Sequence, residues 1–514
     1  METASASTSP AVEAEVAAWI ASGRAFGGEP RRIDTHAASV FLIGDRAWKL
    51  KKPVDLGYLD FSSSTKRHDA LAAELRLNRR TAPDLYLGLH KVTRAANGSL
   101  ALDLEGAAVD WLLEMRCFQD GALLADMADR GAISDALLTT LADDLVLFHA
   151  AAEVIPSASG SDAIRHVADG NAERMRLYPN LLEPSRVSGV TEAIARRISA
   201  YAPLLDQRAA KGRVRHGHGD LHLGNIALID DKAVPFDCLE FDPALATSDV
   251  LYDLAFLLMD LWTRGLRREA NLLFNRYLDR SPEDESGLPL MPLFMSIRAT
   301  IRAHVLATLV SQGGHDEAGP RAAHYLASAE QLLAGPPPQL VAIGGLSGSG
   351  KSTVARVIAP DIGAAPGARI LRSDVLRKRL AGVAPETSLD RSTYTKDASA
   401  SVYAELGRLA KEALAAGHAV IADAVFGHAR EKAGIIAIAV RAGSPFHGFW
   451  LELDENARVE RIAGRGSDAS DATAVVARQQ AADRSLGAHG WPCLSAALCK
   501  EVLRQSILAS LSAT

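Results

Sequence analysis

Residues 39–56, SVFLIGDRAWKLKKPVDL, place two apolar-rich runs on either side of a Gly-Asp-Arg turn, which predicts two strands. The segment ALAAELRLNRRTA that follows carries Ala and Leu at helical spacing and predicts a helix. Residues 100–118 read as strand-rich, and from about 120 to 212 Ala and Leu recur with helical periodicity. A second loop-and-strand patch covers 214–240, after which helix returns up to 334. The pattern describes a small β-rich lobe followed by a large helical one.

At LLAGPPPQL, residues 332–340, three consecutive prolines end a helical stretch and an apolar strand begins. Beyond it, apolar strands at 339–344, 369–372, 418–423 and 446–452 alternate with helical segments, the pattern of a parallel sheet covered by helices. A domain boundary is therefore expected near 336. It separates residues 1–335, with a small lobe over about 15–113 and a helical lobe over about 114–335, from residues 336–514. No fixed-period repeat is visible. A length of 514 residues agrees with two or three domains.

Composition narrows the classes. An apolar content of 48% is that of a globular protein, and 56 basic against 62 acidic side chains supply no broad positive surface for nucleic acid. Cys117, Cys238, Cys493 and Cys499 lie far apart with no CxxC pair, which argues against a disulfide framework or a thiolate zinc site. No uninterrupted apolar run reaches the roughly 18 residues of a membrane span, and METASASTSP is no hydrophobic leader. The expectation is a soluble cytoplasmic protein whose partners are small molecules, with neither nucleic acid nor membrane among them.

The stretch HGHGDLHLGN, residues 216–225, holds three histidines: His216, His218 and His222. A closed zinc site wants a fourth ligand and separate elements to supply it, so metal is the weaker reading of the three. The same residues fit HxDxxxxN, and VPFDCLEFD adds Asp237 beyond the asparagine. Phosphoryl transfer from ATP needs a carboxylate to orient the attacking hydroxyl and take its proton, and an amide oxygen with a second carboxylate to hold Mg2+. Asp220 suits the first task, Asn225 and Asp237 the second. The same chemistry needs a strand lysine on the phosphates and a helix glutamate to position it. RAWKLKKP offers Lys49 and Lys51 on one strand face, and AAELRLN offers Glu74. Lys49, directly after the apolar pair Ala47-Trp48, is preferred, with Lys51 left open.

With HGDLHLGN, FDCLEFD and SDVLYDLAFLLMDL together, the first 335 residues or so resemble the aminoglycoside phosphotransferase family. The resemblance implies an α+β, two-lobed protein-kinase-like domain and a structural anchor at Asp253 or Asp249. It also implies a hinge near Leu113-Glu114-Met115, whose backbone, Met115 included, binds adenine. SVFLIGDRAW lacks the G-x-G-x-x-G loop of protein kinases, in keeping with the phosphotransferase branch.

GGLSGSGKST, residues 344–353, fits GxxxxGK[ST] between a strand and a helix. Gly345, Ser347, Gly348, Ser349 and Gly350 form a loop whose N–H groups can close on phosphate oxygens; Lys351 reaches the terminal phosphates, Ser352 ligates Mg2+, and Thr353 completes the motif. LRSDVLRKRL places Asp374 at the end of the second strand, able to take a proton from an acceptor hydroxyl, with Arg377 one turn later for an anionic group. AVIADAV ends the third strand at Asp423, suited to Mg2+. Arg458, Arg461 and Arg465 are spaced to share a helix face and to close over a triphosphate as a lid.

From RSDVLRKRL, the Asp-Ala of IADAVF and GSDASDA, residues 339–514 resemble small P-loop kinases of the gluconate-kinase-like and zeta-toxin-like groups. That resemblance implies an α/β P-loop NTPase domain with a five-stranded parallel sheet and transfer of a γ-phosphoryl group to a small metabolite. The whole chain resembles the bacterial family described as bifunctional aminoglycoside phosphotransferase and ATP-binding protein. The expected activity is ATP-dependent phosphorylation of a hydroxyl on a sugar, cyclitol or aminoglycoside at each of two sites. The alternative is one active half with the other as an ATP-binding regulatory or partner-binding module. Protein phosphorylation is disfavoured, because no activation segment ending in Ala-Pro-Glu follows Asp237.

Overall fold

Ser63 is extended, and its hydroxyl accepts the backbone N–H of Lys66, so the helix Ser64–Asn78 starts with one of its free donors satisfied. In the computed structural model, which describes residues 10–35, 37–55, 60–156, 159–240, 242–313, 317–464, 466, 468–483 and 485–512, this helix packs on a six-stranded sheet. The strands are β1 (Arg31–Asp34), β2 (Ala38–Ile43), β3 (Arg46–Lys51), β4 (Tyr86–Arg94), β5 (Leu100–Leu102) and β6 (Ala108–Arg116), in the order β1-β2-β3-β6-β4-β5. All their pairings are antiparallel.

The predicted hairpin turn joins β2 to β3, with Gly44 at φ +57° where a side chain would be strained. Alternation along β3 sends Trp48 and Leu50 into a core with Phe41, Val92, Leu112 and the helix residues Val16 and Ile20. The opposite sheet face takes Leu71, Leu85, Tyr86 and Leu113. Arg67 of the helix is fully buried against the Asp110 carboxylate, 2.8 Å away, and so fixes the helix to β6.

Two short sheets follow: β7 (Val214–His216) pairs with β10 (Thr247–Asp249), and β8 (Ile226–Ile229) with β9 (Lys232–Pro235). Asp230 and Asp231 both take positive φ, the two-residue turn that matches strand twist. The P-loop part carries β11 (Leu340–Gly345), β12 (Arg369–Arg372), β13 (Val420–Asp423), β14 (Phe446–Glu452) and β15 (Cys493–Ser495). Their order is β12-β13-β11-β14-β15 and every pair is parallel, the expected five-stranded sheet. β11 is buried at every residue, as a central strand covered on both faces must be.

The chain gathers into two compact units. One comprises Met1–Leu141, Leu147–Pro156 and Gly212–Asp253; the other comprises Ala142–Val146, Ser157–Lys211 and Leu254–Thr514. Within the second, the helices Gly160–Arg176, Pro184–Ala210, Met291–Ser311 and Ala318–Leu333 pack on one another. The apolar stretch Pro282–Ser311 is long enough to cross a membrane, and 67% of its most apolar window is buried inside this fold.

Candidate active sites

In the first unit, the period of two along β3 that buries Trp48 and Leu50 turns Lys49 and Lys51 to the other face, toward the helix carrying Glu74. Glu74 is shared: Oε1 lies 2.6 Å from Lys49 Nζ and Oε2 2.8 Å from Lys51 Nζ. The second partners separate the two lysines. Lys49 reaches Asp237 Oδ1 at 3.0 Å, whereas Lys51 meets Glu240 Oε1 at 2.6 Å and is closed off at 3% exposure. Of the pair left open by pattern alone, Lys49 is the one beside the expected magnesium ligand.

Burial works against the charge on Lys49, but Asp237 and Glu74 outweigh it and hold the ammonium well above its usual range. Burial likewise raises the Glu240 carboxyl, and repulsion from Glu74 and Asp237 leaves it raised despite Lys51. Three carboxylates thus face two ammonium groups here, a donor set with negative charge in excess.

The β8–β9 hairpin brings its two ends together, and with them the segments that carry Asn225 and Asp237: Ile226 pairs with Pro235, and the Phe236 N–H donates to the Asn225 carbonyl at 2.9 Å. Asn225 Nδ2 donates to Asp220 at Oδ2 (2.8 Å) and at its backbone carbonyl (3.0 Å), which turns the amide oxygen away from Asp220. Asp237 stands at φ +60°, a conformation uncommon for a residue with a side chain. Three bonds hold it there: its N–H donates to Tyr86 Oη, the next N–H to Asn78 Oδ1, and the one after to the His218 carbonyl.

Asp253, rather than Asp249, anchors the HGD loop. Its carboxylate accepts the N–H groups of His218 (2.7 Å) and Gly219 (2.9 Å), and His149 Nε2 lies 3.2 Å away. A Cβ on Gly217 would stand 2.6 Å from the same carboxylate, so only glycine passes there. Arg80 donates to the carbonyls of His216 and Gly217, at 2.7 and 2.8 Å. The three histidines divide their tasks. His218 is buried and its pKa is lowered by that burial, His222 Nδ1 accepts the Gly224 N–H, and His216 Nε2 is enclosed with no hydrogen-bond partner among the described residues.

Met115 does not lie in a connecting segment. It remains inside β6, paired with Ala47 of β3 and Tyr86 of β4, and Leu113 and Glu114 are flanked on both sides in the same way. Sheet neighbours already engage that backbone. The chain leaves the sheet only after Arg116, whose N–H bonds the Leu85 carbonyl, and Cys117, whose N–H bonds that of Asp45. The connecting segment therefore begins at Phe118, beyond the Leu113-Glu114-Met115 stretch expected from the resemblance.

In the second unit β11 ends at Gly345 (φ +145°), and the loop passes Gly348 (φ +84°) and Gly350 (φ +92°) before the helix Lys351–Ile358. A Cβ on Gly348 would stand 2.7 Å from the Arg458 carbonyl oxygen, and one on Gly345 2.6 Å from Ser349 Oγ. Ser349 is buried and its hydroxyl has no hydrogen-bond partner among the described residues. The Ser347 N–H is taken by Gln480 Oε1 at 2.8 Å, a contact with no motif to announce it. Lys351 Nζ donates to the Leu346 carbonyl at 3.2 Å, and burial lowers its pKa against the pull of Asp423 and Asp374. Ser352 Oγ donates to Asp423 Oδ2 at 2.6 Å, bringing the two expected magnesium ligands into contact; Thr353, next along, is exposed. Burial raises the Asp423 carboxyl in spite of Arg372 and Lys351.

Asp374 lies in the first turn of the helix Ser373–Leu380, where its charge acts on Lys351, Asp423 and Tyr394. Arg377, one turn on, lies over the Tyr394 ring at 4.6 Å. Arg461 sits against the loop, 3.5 Å from the Ser349 carbonyl, with its other terminus on the Ala496 carbonyl at 2.8 Å. Arg458 is buried against the Ser347 and Ala477 carbonyls rather than poised on an open face. The helix that carries both ends at Ala463, and Arg465 lies outside the described residues. Arg372, unforeseen, bridges Asp423 (3.5 Å) and Asp468 (3.0 Å).

Residues 59–288 match the model of the phosphotransferase enzyme family, and residues 340–486 match that of an AAA domain. The chain is 30% identical over 457 residues to the uncharacterized protein Rv2004c of Mycobacterium tuberculosis, spanning 87% of this chain and 89% of that one. The same figures hold for the uncharacterized protein Mb2027c of Mycobacterium bovis. Among solved structures, it is similar to a choline/ethanolamine kinase family protein from Mesorhizobium loti (13% identity, TM-score 0.41, 63% of this chain and 95% of that chain). It is also similar to a gluconokinase from Sinorhizobium meliloti (22% identity, TM-score 0.26, 34% of this chain and 92% of that chain).

Proposed function

We propose that this chain, which belongs with those mycobacterial proteins to one family joining a phosphotransferase-enzyme domain to a P-loop AAA domain, uses both halves as ATP-dependent kinases of small polar alcohols. The observation that carries this reading is the pairing, in each half, of a lysine for phosphate with a carboxylate and a neutral oxygen donor for magnesium. Those groups are Lys49 with Asp237 and Asn225, and Lys351 with Ser352 and Asp423.

In the first half, Asp220 orients an acceptor hydroxyl and takes its proton as that oxygen bonds to the γ-phosphorus and the bond to the β-phosphate oxygen breaks, releasing ADP. Asn225 steadies the Asp220 carboxylate through Nδ2 and keeps its amide oxygen for a cation. Lys49, held by Glu74, contacts the α and β phosphates. The excess of carboxylates around it suits a divalent ion, which when bound offsets charge on the phosphate oxygens. In the second half, the three glycines at positive φ shape the loop that receives phosphate, and at Gly345 and Gly348 a Cβ would collide with neighbouring atoms. Ser352 and Asp423 would hold a cation, Asp374 takes the acceptor proton, and Arg461 lies beside the loop to offset charge as it develops.

The test uses γ-labelled ATP with a panel of sugars, cyclitols and aminoglycosides. Asp220→Ala is expected to remove one set of labelled products and Lys351→Ala the other. A single set abolished equally by both substitutions would refute independent sites, and no labelled product on any acceptor would refute the kinase reading.

A further inference from the structure

β12 is an edge strand of the P-loop sheet, and its open side would present unpaired backbone groups. The helix Arg267–Arg280 closes it from the phosphotransferase half of the chain. Asn271 and Asn275, one turn apart, behave as a substitute strand. Asn271 Nδ2 donates to the carbonyls of Pro366 (2.9 Å) and Ala368 (3.1 Å), while Asn275 Oδ1 accepts the Ile370 N–H at 2.7 Å. The approach requires Gly367, where a Cβ would lie 2.8 Å from Asn271 Nδ2.

The first residue of β12, Arg369, is 1% exposed, and its counter-charges come from the same source: Asp279 at 2.8 Å and Glu285 at 2.7 Å. Those two carboxylates outweigh burial and hold the guanidinium above its usual range. Three residues further along β12, Arg372 reaches Asp423, and Asp374 follows at once.

A second handle lies on the loop after the Asp374 helix. Arg276 pairs with Asp143 at 2.6 Å and with Glu386 of that loop at 2.5 Å. On its other side the loop is fixed by Asp471, which accepts the Leu389 N–H and the Tyr394 hydroxyl, and Tyr394 in turn covers Arg377.

We infer that the helix Arg267–Arg280 and the turn carrying Glu285 belong to the second kinase: Asn275, Asp279 and Glu285 position Asp374 through β12, and Arg276 positions the loop after the Asp374 helix through Glu386. This rests on the proposed activity of the P-loop half. The residues act through others, so they are positioning residues. The P-loop half alone, cut near 336, would lose the cover of its edge and the partners of Arg369.

The experiment keeps the full chain and silences the first site with Asp220→Ala. Arg276→Ala and Glu386→Gln are each expected to lower kcat at the second site roughly tenfold, since misplacement by an ångström costs catalysis more than binding. Calorimetric Mg-ATP affinity should stay within about twofold of the parent, because the glycine loop is untouched, and Arg276→Lys should restore part of the rate. An unchanged kcat in both variants overturns the inference. So does a parallel loss of kcat, ATP affinity and melting temperature, which would mark plain destabilisation. If the Asp220→Ala parent shows no turnover, the kinase reading fails separately. Amide exchange over residues 381–395 then decides: faster exchange in Arg276→Ala supports the positioning role, and unchanged exchange overturns it.

Discussion

Replacing Lys49 and Lys51 by methionine, one at a time, separates two lysines that lie on the same face of the same strand. Lys51 is 3% exposed between Glu74 and Glu240, at 2.8 and 2.6 Å. Breaking a buried pair by removing one partner costs about 3–5 kcal/mol, so Lys51→Met should chiefly lose stability. The sign of its pH dependence follows from Glu240. That carboxyl already lies above its ordinary value, mainly through burial, so the native state binds the proton more tightly than the unfolded chain. Stability from this source is present at low pH and is lost as pH rises through the folded value. Without Lys51 that value climbs further, by about 1.4 kcal/mol per unit, so the gap between variant and parent should widen from pH 5 to pH 8.

Lys49→Met should behave differently. Glu74 keeps Lys51, and Asp237, at 42% side-chain exposure, can be solvated. A stability cost of about 1–2 kcal/mol should accompany a loss of about 10²–10³ in first-site transfer, against less than about tenfold for Lys51→Met. Pulse proteolysis in urea, scored on fragments from residues 10–140, reads stability where a chain of two units is not two-state; transfer from labelled ATP reads activity. Parent-like stability of Lys51→Met at pH 8, or a greater loss of transfer there than in Lys49→Met, would refute the assignment.

Asp253→Asn replaces an oxygen that accepts a loop N–H with a donor, at a cost of about 2–4 kcal/mol, and first-site transfer should fall with it; thermal melts and kinetics on one preparation check both. Gly348→Ala sets a Cβ 2.7 Å from the Arg458 carbonyl at φ +84°, so Mg-ATP binding at the second site should weaken about tenfold or more while the first site is unaffected, as calorimetry will show. Asp423→Asn should cut second-site turnover about 10²–10³ and leave metal-free nucleotide binding near the parent's.

The chemistry was legible wherever a motif is local. Asp220 and Asn225 lie within one loop, Lys351 and Ser352 within one turn, and β3 alternates strictly enough to put both lysines on one face. Strands without alternation were not legible. β1 is exposed throughout, β4 carries Gly88, His90 and Lys91 with a register shift near Gly88, and β15 is three residues long. The strand-rich reading of 100–118 covers the end of β6 at Arg116, whereas the hinge at Leu113-Glu114-Met115, carried over from the resemblance, falls inside that strand.

By itself, the order of residues determined two phosphate-handling motifs, the Pro-rich break between them and the candidate acids of each, because periodicity and spacing act over a few residues. Tertiary structure alone decided that Lys49 rather than Lys51 meets Asp237, 188 positions away, and that Asp253 rather than Asp249 holds the HGD loop. It also made Glu240 a partner of Lys51 and two asparagines the cover of β12. Those choices depend on which buried charge finds its counter-charge and which edge finds a donor, and both are settled only when distant segments pack together.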